Sequence, residues 1–404
     1  MEKIFTLDDF DFNEKTVLVR VDINVPYDAS TKKIEDSERI REHAITIKEL
    51  AEKNAKVVVL AHQGRKGDPD FINLNQHASL LSKHVGKKVE FVDDVVGEKA
   101  INKIKSMRGG EIVLLDNVRF LEDETLELSP KEHSKSKIVT VLSPISDYFV
   151  LDGFSVSHRS HASVVGFSEI LPCIAGRIME KELKALEKFF VAKNKTFVLG
   201  GAKVEECLDI IDYFLKKKKE EVRVVLLSGV IAELFLISKG YELGKGTKDF
   251  LIKKDYLKFI PQIKEIIQKH GEKIELPIDF AVEVNGGRKE FDLEDLPVEQ
   301  QILDIGKKTA LKYSKEIEAS EFIIFKGPAG VYEKKNFEFG TKILLDAITN
   351  SKAFSLAGGG DTLTAIEKLN VDKGKFSYIS LGGGALITYL SGKNMPGIEI
   401  LKKL

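Results

Sequence analysis

The chain has 404 residues, 43% hydrophobic and 31% charged, and a formal net charge of -1. A balance so close to zero argues against a nucleic-acid coat or a membrane-surface binder, and the length suffices for two full cores. Two cysteines far apart in the chain, Cys173 and Cys207, support neither a disulfide framework nor a zinc site.

The opening MEKIFTLDDFDF is acidic and has no apolar signal core, so a cytoplasmic protein is expected. No apolar run approaches a membrane span. Strands are then predicted over 16–24, 55–62, 88–93, 111–117 and 148–155, with helical patterns over 37–54 and 77–86 between them. Residues 177–194, RIMEKELKALEKFFVAKN, read as a long amphipathic helix with no strand beside it, a connector between domains. Beyond it, strands are predicted over 195–202, 222–229, 274–284, 321–330, 352–359 and 376–384, and helical patterns over 206–217 and 339–349. The strand runs lack polar alternation, as strands buried on both faces do, and interleaved helices imply parallel sheets. The expected fold is α/β, two doubly wound parallel-sheet units in series. Ligands of such sheets bind beyond the carboxyl ends of the strands.

Three turns of the second half share one plan: LGGAKVEEC (199–207), LAGGGDTLT (356–364) and LGGGALITY (381–389). Each joins a strand to a helix through glycines, which let a ligand approach the backbone while the helix start offers N–H groups. Three such turns in one domain point to more than one phosphate group. Neither a Walker A motif nor a well-placed dinucleotide fingerprint is present, and the glycines of GYELGKGTKD (240–249) read as a surface turn. A carboxylate beside phosphates repels them unless a cation intervenes. Asp361 therefore reads as the Mg²⁺ handle of a nucleotide, or else as a plain helix cap, with Thr362 donating to a phosphate oxygen. Lys203 follows the first glycine pair and suits a phosphate as a mobile point charge.

Of ten arginines, eight lie in residues 1–200. Arg20, Arg65, Arg119 and Arg159 stand where strands end and Arg39 opens a helix, so five connections are expected to converge in an arginine basin. Asp22 and Asn24 make one face of a strand end polar, and His62, His158 and His161 join the same loops. A basin for a small anion and a polyphosphate cradle together suit phosphoryl transfer.

The segments VLVRVDINVP, AHQGR, DNVRF, SHRSHAS, GGAKV, FKGPAGVYE, AGGGDT and LGGGA follow one another across nearly the whole chain. In this order they resemble the phosphoglycerate kinase family, and QGRKGDPD with several abbreviated loops is similar to its archaeal branch. The resemblance implies two Rossmann-like domains: residues 1–176, completed by a tail at about 390–404, for 3-phosphoglycerate, and 195–389 for the nucleotide, with 177–194 as a hinge helix that lets the domains close. It implies the glycolytic and gluconeogenic reaction of 1,3-bisphosphoglycerate with ADP to give 3-phosphoglycerate and ATP, with Mg²⁺, in a monomer that engages neither nucleic acid nor membrane. By that resemblance Asp22, Asn24, Arg39, His62, Arg65, Arg119 and Arg159 bind 3-phosphoglycerate. Gly201, Lys203, Pro328, Glu333, Gly358, Gly359, Gly360, Asp361 and Thr362 bind the nucleotide, with Glu333 on the ribose and Asp361 on Mg²⁺. Arg39, Lys203, Gly359 and Gly383 attend the transferring group, which Gly382 to Gly384 help to cradle. No general base is required, because the attacking ADP oxygen is already ionised. Another small-carboxylate kinase, or a two-lobed binding protein without turnover, are the rival readings.

The chain also departs from the family pattern. A second lysine is common four residues after Lys203, where Cys207 stands here; the usual G-G-G-M-A reads SGVIA (228–232); and Lys307 replaces the proline of D-I-G-P. Adenine packing and the choice between ATP and GTP are thereby left open.

Overall fold

The structure, a computed structural model, describes residues 3–402. Its contacts divide the chain into two units, Met1–Lys184 with Asn394–Leu404, and Ala185–Lys393.

The sheet of the first unit contains β1 (Thr16–Arg20), β2 (Lys56–Leu60), β3 (Val89–Val92), β4 (Ile112–Leu115), β5 (Tyr148–Leu151) and β6 (Cys173–Ala175). Their spatial order is β3-β4-β2-β1-β5-β6, all parallel. β1 reads TVLVR and is buried along its whole length, as a strand covered on both faces must be. Helix α1 (Glu38–Glu52) turns one stripe inward, Ile40, Ala44, Ile47, Leu50 and Ala51. That stripe shares a core with Val17, Val19, Val57 and Val59. Helix α2 (Asn75–Val85) ends at Gly86 with φ 75, the left-handed cap that glycine adopts without strain.

Helix α3 (Arg177–Val191) opens on an ion-pair network: the Arg177 guanidinium lies 2.6 Å from Glu49, 2.6 Å from Asp8 and 2.8 Å from Glu180. The division between the units falls inside this helix. In the C-terminal segment the Gly397 N–H donates to the Ser157 carbonyl at 2.8 Å, and Ile398, Ile400 and Leu401 are buried.

The second unit has β7 (Lys195–Leu199), β8 (Val222–Leu227), β9 (Ile274–Glu275), β10 (Asp279–Val284), β11 (Gly287–Asp292), β12 (Ile302–Ile305), β13 (Phe322–Lys326), β14 (Phe354–Gly358) and β15 (Tyr378–Ser380). The main sheet runs β9-β8-β7-β13-β14-β15, all parallel. Helices α4 (Val204–Lys217), α5 (Gly229–Ser238), α6 (Lys307–Glu318), α7 (Phe339–Asn350), α8 (Gly360–Lys368) and α9 (Gly384–Leu390) each follow a strand of the unit or the turn after one.

Residues 274–284 are not the single strand that their composition predicts. Ile274 and Glu275 pair with β8, and Asp279–Val284 belongs to a separate antiparallel sheet of order β11-β10-β12. Pro277 stands between the two pieces and brings no N–H to a ladder. The hairpin β10–β11 closes on Asn285 and Gly286, with φ 50 and 76, the two-residue Asn-Gly turn that antiparallel twist favours. Other predicted strands overshoot. β1 stops at Arg20 rather than residue 24, and β5 at Leu151, where a short 3₁₀ turn, Phe154–Val156, follows. Edge strand β6 and helices such as α5 and α6 were not predicted. The glycines of 240–249 lead into a helix, Lys245–Lys253, rather than forming only a surface turn. Among the described residues no helix is long and apolar enough to cross a membrane.

Candidate functional site

The first unit carries its charged cluster on the loops that leave β1, β2, β4 and β5. Asp22, two residues past β1, is buried, and it accepts from Arg39 on the first turn of α1 and from the Ser155 hydroxyl. Burial works to raise the Asp22 carboxyl, but the charge of Arg39, with the Ser155 hydroxyl, outweighs it and holds it well below the usual carboxylate range. The Asp22 N–H donates to His43 Nε2 at 3.3 Å, and His43 Nδ1 lies 2.8 Å from Asp152. The ends of β1 and β5 are thus tied through α1.

Asn24 accepts the Gly64 N–H at 2.9 Å, and Arg119 donates to the Gly64 carbonyl. The loop after β2 is therefore held from two sides. Gln63 fastens it further, with bonds to both the N–H and the carbonyl of Val25, at 2.9 and 3.0 Å, and to His77 Nε2 at 3.1 Å. Burial pushes the His77 imidazole down to about 4. Its pKa is lower folded than unfolded, so the stability it carries is present above about pH 6.5 and is lost as pH falls toward 4. Urea midpoints measured from pH 7 to pH 4 should fall across that window, and His77→Gln should flatten the slope.

Arg65, Arg119, Arg159 and His161 wall one cavity of about 410 Å³. Burial, then the charges of Arg159 and Arg20, push Arg119 down to about 10. Burial lowers Arg159 too, and burial with Arg159 lowers His161 to about 3. Guanidiniums that depress one another gain from an anion placed among them, and each presents a planar donor fork to a phosphate or carboxylate.

Arg20 does not join this wall. It is buried behind it, where Nε donates to Ser163 Oγ at 2.8 Å, Nη1 donates to the Val21 carbonyl, and Nη2 lies 3.0 Å from His62 Nδ1. A guanidinium has no lone pair, so Nδ1 of His62 accepts and Nε2 carries the ring proton. Burial, then Arg20, hold that imidazole well below its usual range. Ser163 in turn bonds the buried Glu124, Oγ donating to Oε1 at 2.6 Å and N–H to Oε2 at 2.9 Å. Arg20 thus supports the basin through His62 rather than lining it, because three bonds to buried groups fix its direction.

In the second unit, β7, β13 and β14 are neighbours, so the turns at their carboxyl ends meet. Gly201 (φ 77) and Gly359 (φ 97) sit in the left-handed region, where a Cβ is strained. The turns form a cradle with Lys203, Gly359, Gly360, Asp361 and Thr362 on its wall. Asp361 is not a cap: Gly359 holds the cap position of α8, and Asp361 stands inside the first turn. Its carboxylate is 56% exposed and 3.4 Å from Lys203 Nζ. Thr362 is buried and its hydroxyl accepts the Gly327 N–H at 2.9 Å, which leaves its own proton for another acceptor. Gly358 closes β14 and Gly383 caps α9 at the neighbouring strand; neither lies on the cradle wall. Pro328 and Glu333 line an adjoining cavity of about 300 Å³, which Gly201 and Asp361 share.

One cradle residue escaped the sequence reading. Lys326 ends β13, its side chain buried, with Nζ 2.9 Å from Glu206 and 4.0 Å from the sulfur of Cys207. The signal lay in FKGPAG, a lysine at the carboxyl end of an apolar strand. Cys207 itself is buried, and burial pushes its thiol up.

An open parallel sheet with glycine turns and two ammoniums at its carboxyl edge, in a chain that also holds an arginine-walled cavity, defines an α/β protein built for phosphorylated small molecules. A phosphoglycerate kinase family model matches residues 7–393. The chain is 41% identical to the phosphoglycerate kinase of Methanothermus fervidus, with all of this chain and 98% of that one covered. The crystal structure of phosphoglycerate kinase from Pyrococcus horikoshii superposes with TM-score 0.89 at 38% identity, covering 99% of this chain and 98% of that one. The structure from Coxiella burnetii gives 0.84 at 30% identity, with 99% of each chain covered. The chain belongs to the phosphoglycerate kinase family and is a kinase.

Proposed function

We propose that this chain transfers the 1-phosphoryl group of 1,3-bisphosphoglycerate to Mg-ADP, reversibly, giving ATP and 3-phosphoglycerate. The observation that carries the reading is the division of charged groups: three guanidiniums around one cavity, and two ammoniums with two carboxylates, Glu206 and Asp361, around a glycine cradle. In this reading Arg65, Arg119 and Arg159 grip the anionic groups of 3-phosphoglycerate, and Asp22, Asn24 and the Nε2–H of His62 orient it. Arg39 faces the transferring group. Lys203 and Lys326 neutralise nucleotide phosphates, so Lys326 makes good the charge that Cys207 does not supply. Gly201, Gly359, Gly360 and Thr362 offer N–H and O–H donors to the same phosphates, Gly383 with the start of α9 attends the transferring group, and Pro328 and Glu333 flank the base and ribose.

The donor set fits a nucleotide-borne Mg²⁺. Among the described residues no cluster of three His, Cys, Asp or Glu stands ready for a metal. The exposed Asp361 supplies one carboxylate, and Mg²⁺ takes few carboxylates beside phosphate oxygens and water. When bound, the ion neutralises phosphate charge. Transfer then needs positioning and charge stabilisation rather than a general base. The reading carries a monomeric cytoplasmic enzyme.

Nucleotide turnover with 3-phosphoglycerate, glycerate and acetate, with and without magnesium, tests the reaction. Turnover confined to 3-phosphoglycerate and dependent on magnesium supports it; equal turnover with the other acids means another carboxylate kinase, and none with any acid a binding protein. Asp361→Ala should raise the KM for Mg-nucleotide by at least about tenfold. Binding of 3-phosphoglycerate should stay nearly intact, and equal loss for both ligands removes Asp361 from the nucleotide site.

A further inference from the structure

The cavity beside the glycine cradle contains a carboxyl group that none of these roles uses. Gly229, Glu233 and Leu236 recur at four and three residues along α5, hence on one helix face, and all three line the cavity. Glu233 is 6% exposed, and its Oε2 has no hydrogen-bond partner. Burial alone, with no cation facing it, pushes the carboxyl up to about 8. Near neutral pH it therefore holds its proton and presents one O–H donor and one carbonyl acceptor. An unpartnered buried polar group is costly to maintain unless something satisfies it. Around it the wall is largely apolar, with Leu236, Phe250, Phe280 and Leu303. Asp304, also on the wall, is already engaged by Arg288 at 2.8 Å and by the Gly340 N–H at 2.8 Å. A flat apolar ring with a polar edge suits such a cavity.

We infer that Glu233 reads the nucleobase, accepting a hydrogen bond from the exocyclic amino group of a purine; this rests on the reading that the cavity holds the base of the nucleotide. Adenine offers an amino donor beside the ring nitrogen N1, an acceptor, which complements a protonated carboxyl. Guanine offers N1–H and an amino group, two donors, which complement the carboxylate. A purine without an amino group leaves the carbonyl oxygen of Glu233 unpaired and binds more weakly.

The test is calorimetric titration of the full chain, in magnesium, with ADP, GDP, purine riboside diphosphate and inorganic pyrophosphate. Wild type is expected to bind the favoured amino purine about tenfold more tightly than purine riboside diphosphate. Whichever of ADP and GDP leads identifies the base. If ADP leads, Glu233→Gln keeps the carbonyl acceptor and a donor for N1 and should keep most of that ratio; if GDP leads, its amide N–H faces a second donor and the ratio should fall. Glu233→Leu should bring the ratio to near one, with pyrophosphate affinity unchanged. If wild type shows no preference for an amino purine, or Glu233→Leu retains the wild-type ratio, Glu233 does not read the base. A fault in the underlying reading shows differently: wild type then binds neither ADP nor GDP more tightly than pyrophosphate. Should the leucine variant not fold by circular dichroism, the wild-type ratio and the glutamine variant decide.

Discussion

Arg39→Ala is expected to lower kcat by about 10²–10³, the usual loss when one preorganised charge-stabilising donor is removed. Charge spreads over the oxygens of the phosphoryl group during transfer, and a guanidinium at the helix start can meet two of them at once. The residue has a second task, because Asp22 is buried and Arg39 is its ion-pair partner. Stripping a partner from a buried pair leaves a charge in a medium that solvates it poorly. Arg39→Lys separates the two roles. It returns a cation to Asp22 and should restore most of the melting temperature, while kcat stays well below wild type because an ammonium lacks the fork. Steady-state kinetics and thermal unfolding of both variants decide the matter, and a kcat for Arg39→Ala within about threefold of wild type rules the role out.

The second large effect is structural. Glu124→Ala should destabilise the first unit by roughly 3–5 kcal/mol, the range found when one member of a buried ionic set is removed. Glu124 and Arg20 are both buried and share the Ser163 hydroxyl, which accepts from the guanidinium and donates to the carboxylate. Burial raises the Glu124 carboxyl, and the charge of Arg20 offsets only part of that rise. Without Glu124, Arg20 keeps its bonds to Ser163, the Val21 carbonyl and His62 but loses the stronger of its two counter-charges, Asp22 being the other. Glu124→Gln, which can still accept the Ser163 N–H, should lose less. Urea unfolding measures both, and a loss under about 1 kcal/mol for the alanine variant means that Arg20 finds another partner. If His62 and Arg20 move together, 3-phosphoglycerate affinity falls in the same variant.

Much of this molecule is legible along the chain. Unbroken apolar runs such as TVLVR and KTFVL, separated by helices, leave parallel strands buried on both faces as the way to cover the apolar surface, and both sheets have that form. Glycine after a strand and before a helix is likewise a local fact. The φ values at Gly201 and Gly359 follow from a backbone that must turn sharply in a few residues. Strand ends were less legible, because Val21 to Asn24 continue the apolar-polar composition of β1 after its ladder has stopped.

The site divides along the same line. By itself the sequence determined that arginines stand at strand ends in the first half and that Lys203 and Asp361 flank glycine turns in the second, since topology sends every parallel strand end to one edge. Only the tertiary structure decided which arginines form a wall. Arg20 has the same local setting as Arg65 and Arg119, yet Ser163 and Glu124, more than a hundred residues away, turn it inward. The same holds for Lys326, carried beside Cys207 by the pairing of β13 with β7, and for Glu233, whose isolation is a property of the helix face and the cavity around it. Direction and desolvation depend on atoms contributed by distant segments, and no local pattern encodes them.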